Sequence, residues 1–390
     1  VLASSGVKPV YYGTRTVRRN APNVDAIIRK FDSDLHVEGS PKVVAYAKEV
    51  GSTVAMLVTA DNHDMAFPKR FEFVIDYNSG EILETRNQIR HTDISGNVSG
   101  WHTPGLKPNQ ANNPAQLTPL NNATVEVVGG NDARTNILGN YTISHPGTTS
   151  VDVKASLVGD WVSVVDQSLT TPAVVSITQS TTPPGPANFV FNAGVTEASQ
   201  AAVDGFIHTE KIHNYVKGLH PTYPGIDIAL PCNVNINSSC NAYYNGSSIN
   251  FFLAGGSCPN TAYSTVVQHE YGHFVIDKGH PFPSGDFHEG IADVTSAFAS
   301  NTSRLGEDFR GQDTGALRNA YNGVTWPCVG GVHYCGQVIS GAFWLAKDNL
   351  EASLGVTPGF DLIQDYYINS ILLHPPDINP GMTIDVLTLD

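Results

Sequence analysis

The chain has 390 residues, enough for two or three domains that each bury a core of their own. Apolar residues make up 41% and charged residues 15%, a composition that folds and does not stay disordered. The formal net charge of -14 argues against nucleic acid or an anionic membrane surface as partner, and no run of eighteen apolar residues is present to span a membrane.

Residues 1–92 form a first segment. Val1 opens without a visible secretory signal, although a removed one leaves no trace. "PKVVAYAKEVG" reads as helix-like, while "FEFVID" and "EILETR" alternate on either side of Asn78-Ser79-Gly80, which predicts a β-hairpin. Over 93–170 the short runs "ATVEVVGG", "GNYTIS", "SVDVKASLVG" and "WVSVVD" predict a small β-sandwich. It lacks any concentrated His, Cys or acidic cluster, so a structural or interaction role is expected. Residues 171–188 contain "SITQSTTPPGPAN", whose Ser, Thr and Pro predict an extended linker and a domain boundary.

From 189 the character changes. "TEASQAAVDGFIHTEKIHNYVKGL" has helical periodicity up to Gly218, with His208 and His213 on different faces as packing or surface residues. "NAYYNGSSINFFLAGG" alternates like an edge strand or hairpin. Next comes "VVQHEYGHFVID", ending near Gly279 as a natural cap. On a helix His269 and His273, four apart, stand on one face and can share one metal ion, with Glu270 about 100° further round. A hydrolytic zinc site needs a third protein ligand and an open position. Glu289, in "GDFHEGIADVTSAFAS", is the candidate; Asp293, four residues on, shares its face and can support a ligand histidine. Further on, "CVGGVHYCGQVISGAFW" sets His333 after two glycines, where it can donate a hydrogen bond to an oxyanion.

The segment 189–390 resembles the thermolysin group of zinc metallopeptidases, the gluzincins, with the fungalysins as near relatives. The resemblance rests on "NAYYNG", "HEYGH", "EGIAD", "ALRN" and "GGVHYCGQVISGAF", in that order. The first segment resembles their propeptide modules through "VVAYAKEV" and "RFEFVIDYNSGEILETR", and the middle one resembles β-sandwich modules of carboxypeptidase-regulatory type. The implied fold is multidomain: an α+β propeptide-like module, a small β-sandwich, and a catalytic domain with a β-rich N-terminal part, a mainly helical C-terminal part and zinc between them. The resemblance implies one catalytic zinc on His269, His273 and Glu289, with Glu270 as general base. It further implies that Asn241 and Ala242 hold substrate as an extended strand, that Asp293 orients His269, that Arg318 reaches the substrate carbonyl and that His333 stabilises the tetrahedral intermediate.

Three features depart from the group. Cys328 stands where an acidic residue precedes Gly-Gly-Val-His, so something else must orient His333. No tyrosine matches the oxyanion helper, and His280 and His288 are the polar aromatic candidates in that stretch. The carboxylates of the structural calcium site lack matches, so no calcium is predicted.

All five cysteines lie beyond residue 230 and no C-x-x-C pair occurs, which suggests one or two disulfides formed in an oxidising compartment. Cys328 with Cys335 would close a short loop around His333. Cys240 with Cys258 is the second pair, leaving Cys232 free, and Cys232 with Cys240 is its rival. The expectation is a secreted zinc endopeptidase acting on proteins or peptides. It would be held latent by its own N-terminal module, which also assists folding, and activated by cleavage between about 165 and 190. No Gly-x-Met-x-Asn motif for gripping a free amino terminus is present, which disfavours an aminopeptidase. The competing reading is a zinc-binding adhesion or binding protein of little turnover. The closing "GMTIDVLTLD" reads as an unfinished apolar pattern, as though the helical subdomain continued.

Overall fold

A computed structural model of the chain describes residues 21–47, 52–64, 68–89, 92–280, 283–373 and 377–389. The first twenty residues of the N-terminal module and the end of "PKVVAYAKEVG" lie outside these residues. Within them the protein is mixed α/β, with several sheets and a helical C-terminal part.

In the first module, Asn23 caps helix α1 (Val24–Phe31), its side chain accepting from the Ala26 amide at 3.1 Å. Strands β1 (His36–Ala47), β2 (Ser52–Asp61), β3 (Arg70–Asp76) and β4 (Ile82–Asn87) then run as an antiparallel sheet in chain order. Alternation sorts their side chains: Met56, Val58, Phe73 and Ile75 bury with Ile28 of α1, while Val44, Ala55 and Val74 bury together in a second cluster. The expected hairpin is β3–β4. The Asp76 carboxylate accepts the amides of Asn78 and Ser79, each at 2.9 Å, and Gly80 takes φ +73°. The helix expected from "PKVVAYAKEVG" is overturned. Its described part is strand β1, with Val44 opposite Ala55 and Tyr46 opposite Thr53. A short apolar run suits either structure, and the neighbouring strand decides.

Strands β5 (Ile94–His102), β6 (Gln116–Pro119), β7 (Thr124–Val127), β8 (Asp132–Arg134), β9 (Asn140–Ile143), β10 (Val151–Ser156), β11 (Val162–Asp166), β12 (Ala173–Val174), β13 (Ser176–Thr181) and β14 (Phe189–Phe191) follow. One sheet runs β13-β10-β7-β8, and another runs β14-β5-β6 with β9 also on β5. The linker expected at 171–188 is overturned in part. Ser176–Thr181 is an edge strand in register with β10, from Val151↔Thr181 to Ser156↔Ser176. Backbone pairing supplies that strand's hydrogen bonds, so its polar side chains face water without cost.

The chain continues through α2 (Glu197–Leu219), β15 (Leu230–Ile236), β16 (Ala242–Tyr244), β17 (Ile249–Phe252), α3 (Ser264–Gly279), α4 (Gly285–Ala299), β18 (Arg304–Glu307), β19 (Ala316–Asn319), α5 (Val332–Cys335), α6 (Gln337–Leu354), α7 (Val356–Leu373) and α8 (Gly381–Leu387). A five-stranded sheet has the order β12-β11-β15-β17-β16. Here β11 pairs in parallel with β15, just as β14 pairs in parallel with β5. One buried core accordingly runs from Ile94 to Met382. The core does not divide at 171–188; it divides between Leu83 and Ile94, because the clusters of the first module contain nothing beyond Leu83. Among the described residues no helix is long and apolar enough to cross a membrane.

His208 and His213 are both buried on α2, as packing residues. His213 stacks on Trp161 at 3.8 Å between ring centroids, and burial pushes His208 down to about 3. Helix α3 is buried continuously from Ser264 to Ile276. It lies so close to α4 that a Cβ on Gly272 would sit 2.8 Å from the Ala292 Cα. Gly279 is the last residue of α3, ahead of the cap His280. Its need is for space and not for a left-handed cap, since a Cβ there would meet the Tyr223 Oη at 2.1 Å.

Gly272→Ala should therefore push α3 from α4 and lower stability by roughly 1–3 kcal/mol, the usual cost of overpacking. The change reads out as a fall in the thermal midpoint together with weaker metal retention. Gly218→Ala, where a Cβ meets nothing within 4 Å, should lower neither. Equal behaviour of the two variants would remove the close approach as the constraint.

Candidate metal centre

The helical spacing on α3 brings His269 and His273 together, with ring centroids 4.6 Å apart. Glu289 reaches them from α4: its Oε2 is 3.3 Å from His269 Nε2 and its Oε1 is 3.7 Å from His273 Nε2. One atom from each residue falls within 4.8 Å of the others. Ligands on a tetrahedral zinc with bonds of about 2.0–2.1 Å stand about 3.3 Å apart, so the spacing suits a small cation. Glu289 Oε2 makes no hydrogen bond despite its nearness to His269, and the buried Glu270 Oε2 has no partner either. Two orphaned acceptors beside two imidazoles are costly unless a cation and its water satisfy them. The His-His-Glu group can thus hold a metal ion.

A surrounding layer fixes the ligands. His269 Nδ1 lies 2.8 Å from Asp293 Oδ1. Arg318 clamps Asp293 with two bonds, Nε to Oδ2 and Nη2 to Oδ1, both 2.7 Å. Arg318, expected at the substrate carbonyl, has its guanidinium engaged by Asp293 and also lines the cleft. His273 Nδ1 lies 2.7 Å from His288 Nδ1, so one ring donates and the other accepts. With His273 Nε2 turned towards a metal, His273 is the donor and His288 the acceptor. Sequence reasoning had considered His288 only beside an oxyanion. The signal was its place directly before Glu289 on the same helix.

From the protein groups alone, burial works against a proton on His269, but Asp293 and Glu289 outweigh it and push the group up to about 10. Burial and the charge of His269 hold His273 well below the usual histidine range. Burial would raise Glu289, yet its histidine neighbours and Arg318 bring it down to about 2. Glu270 is pushed up to about 7, mainly by burial, which poises it to exchange a proton near neutrality.

Two cavities meet at these residues. One, of ≈ 450 Å³, is lined by Val266, Leu305, Phe309 and Leu317 among others; the second, of ≈ 370 Å³, includes Tyr243, Tyr244 and His288. Both share Asn241, Ala242, His269, Glu270 and His333. No described residue of the first module lines either one. His333 is 65% exposed, with its Nε2 3.3 Å from Glu289 Oε1. A Cβ on Gly336 would lie 2.9 Å from the Glu289 Cβ, and one on Gly290 would lie 2.5 Å from the Gly336 carbonyl. Those glycines let the His333 segment close onto α4. Both disulfides border the cleft: Cys328–Cys335 encloses His333, and Cys240–Cys258 begins one residue before Asn241. Cys232 is free and buried, so the rival pairing with Cys240 is ruled out.

No family model matches this chain, and no curated protein matches it.

His288→Ala should weaken the binding of an added divalent metal ion by roughly 10- to 100-fold by removing the acceptor behind His273. His288→Asn, whose amide oxygen can accept, should recover much of it. Competition against a chromophoric chelator measures both, and equal affinity in all three proteins would detach His288 from the metal.

Proposed function

We propose that the chain is a secreted zinc endopeptidase of the thermolysin-like kind. The observation that carries this reading is the convergence of His269, His273 and Glu289, one ligand atom of each within 4.8 Å of the others, with the buried, unpartnered Glu270 oxygen beside them. When bound, zinc supplies a Lewis acid that acidifies water and polarises a peptide carbonyl. Glu270 accepts the proton of the attacking water and passes it to the departing amine, a role suited to a carboxylate whose buried Oε2 has no partner in the protein. His333 donates a hydrogen bond to the oxyanion from the exposed rim. Asp293 holds His269 in the tautomer that frees Nε2, and Arg318 keeps Asp293 charged.

The substrate lies along β16. That strand is the edge of its sheet, paired with β17 alone, and it begins at Ala242 on the cleft wall. An extended peptide can hydrogen-bond to such an edge, which fits the place of Asn241 and Ala242 in the lining of both cavities. A backbone grip of this kind is indifferent to most side chains and fits an endopeptidase.

Glu270→Gln should retain zinc and lose turnover by several orders of magnitude, because it removes a base and no ligand. Glu289→Ala should instead lower the metal content. Turnover of a casein-like substrate, measured beside zinc analysis, checks both. Near-normal activity of Glu270→Gln would refute the mechanism, and zinc without turnover in the unmodified protein would favour the adhesion reading.

Latency belongs to the same proposal, with one revision. Cutting at 165–190 to release everything before it would tear β5, β11 and β13 from their partners. The first module has cores of its own ending at Leu83, so a cut between β4 and β5 releases it whole. On a gel followed over time, the active chain should shorten by the length of that module and gain activity, while Glu270→Gln stays intact. Full activity from the uncut chain would make the module a permanent accessory.

A further inference from the structure

The larger cavity beside the metal centre is lined by two guanidinium groups in different electrical states. Arg318 is bound to Asp293 by two hydrogen bonds of 2.7 Å, so its charge is already answered. Arg310, in the turn between β18 and β19, is exposed and lines the same cavity. Among the described residues it makes no ion pair and no hydrogen bond.

That isolation is notable because acidic groups lie next to it in sequence. Each is committed elsewhere. Glu307 pairs with Arg304. Asp308 accepts from Lys107 at 3.0 Å and Gln110 at 2.8 Å, and Asp313 lies 3.8 Å from the same Lys107. The same cavity is lined by the apolar groups Val266, Leu305, Phe309 and Leu317, none of which can answer the charge of Arg310. The chain as a whole carries a net charge of -14, so an acidic peptide meets repulsion over most of the surface. At this wall it meets an unanswered positive charge.

We propose that Arg310 is a specificity-determining residue, selecting substrate segments in which an acidic side chain neighbours an apolar one. The apolar side chain occupies the hollow formed by Val266, Leu305, Phe309 and Leu317, and the carboxylate pairs with the guanidinium at its mouth. Arginine suits this task because its planar fork meets a carboxylate through two parallel bonds. The inference rests on the peptidase reading, in that the occupant is taken to be a peptide.

The test uses the full chain, brought to constant activity, and peptides with one leucine anchor. Glu, Gln or Lys is placed in turn at each of three positions on either side of that anchor. At one of those positions Glu should exceed Gln in kcat/KM by about 2- to 5-fold, the range of an exposed ion pair. That preference should shrink as salt rises from about 0.05 to about 0.5 M. In Arg310→Gln the Glu-to-Gln ratio should fall to about 1, and Arg310→Glu should favour Lys at the same position. The ratio is internal to each variant, so altered folding or zinc content does not imitate the result. A ratio near 1 at every position in the unmodified chain would overturn the proposal, as would a preference that survives Arg310→Gln. If no peptide is cleaved, the peptidase reading fails separately. The same peptides carrying a fluorophore then report Glu against Gln by anisotropy, and equal affinities there sink the charge preference as well.

Discussion

The candidate metal centre depends on how near α3 comes to α4. His269 and His273 belong to one helix and Glu289 to the other, so no ligand set exists until the two backbones meet. Glycine at 272 against Ala292 allows that meeting, since any larger side chain would stand between them. The contact is apolar and close, and it is made directly beside His273 and about one turn from His269 and Glu289. A shift of a few tenths of an ångström in it is carried directly into the 3.3 and 3.7 Å separations at the centre. Burial of α3 along nearly its whole length then prevents the helix from adjusting by rotation.

Around that geometry the charges are arranged in layers. Asp293 is buried beside His269, and a lone buried carboxylate would be expensive. Arg318 neutralises it through two hydrogen bonds, which keeps it ionised and in place. His273 has a neutral imidazole behind it in place of a carboxylate. The two ligand histidines are therefore supported differently, one by a charge-assisted bond and one by a neutral bond. Such a pairing fixes both tautomers without adding a second negative charge to a site that already holds Glu289 and Glu270.

What the sequence disclosed follows the range of the forces involved. The spacing of His269 and His273, the shared face of Glu289 and Asp293, and the hairpin at Asn78 to Gly80 are local, and each was readable from residue spacing alone. The Cys328–Cys335 pair was readable from its short loop, whereas Cys240 was left between Cys258 and Cys232 until the fold buried Cys232 away from it. The strand at Val43 to Tyr46 was misread because its apolar run is compatible with helix, and only β2, formed by later residues, selects the extended form. Ser176–Thr181 was misread because its polar composition resembles a linker, whereas its stabilisation comes from pairing with β10. The continuity of the core across 171–188 was hidden for the same reason, since parallel pairing of β11 with β15 joins residues as far apart as Val162 and Leu230. The partners of His288 and the solitary state of Arg310 depend on which side chains fold beside them, and composition carries no record of that.

The two disulfides give the cleft an asymmetric kind of rigidity. Cys240 anchors the segment that begins the edge strand, and Cys335 anchors the one that carries His333, so each covalent clasp holds a wall of the cleft. The metal ligands between those walls are held by helix packing and no clasp at all. The candidate metal centre and the cleft walls are thus held by mechanically separate means. A reducing environment would loosen the jaws and leave the centre between them standing, which makes the redox state of the surroundings part of the shape of the site.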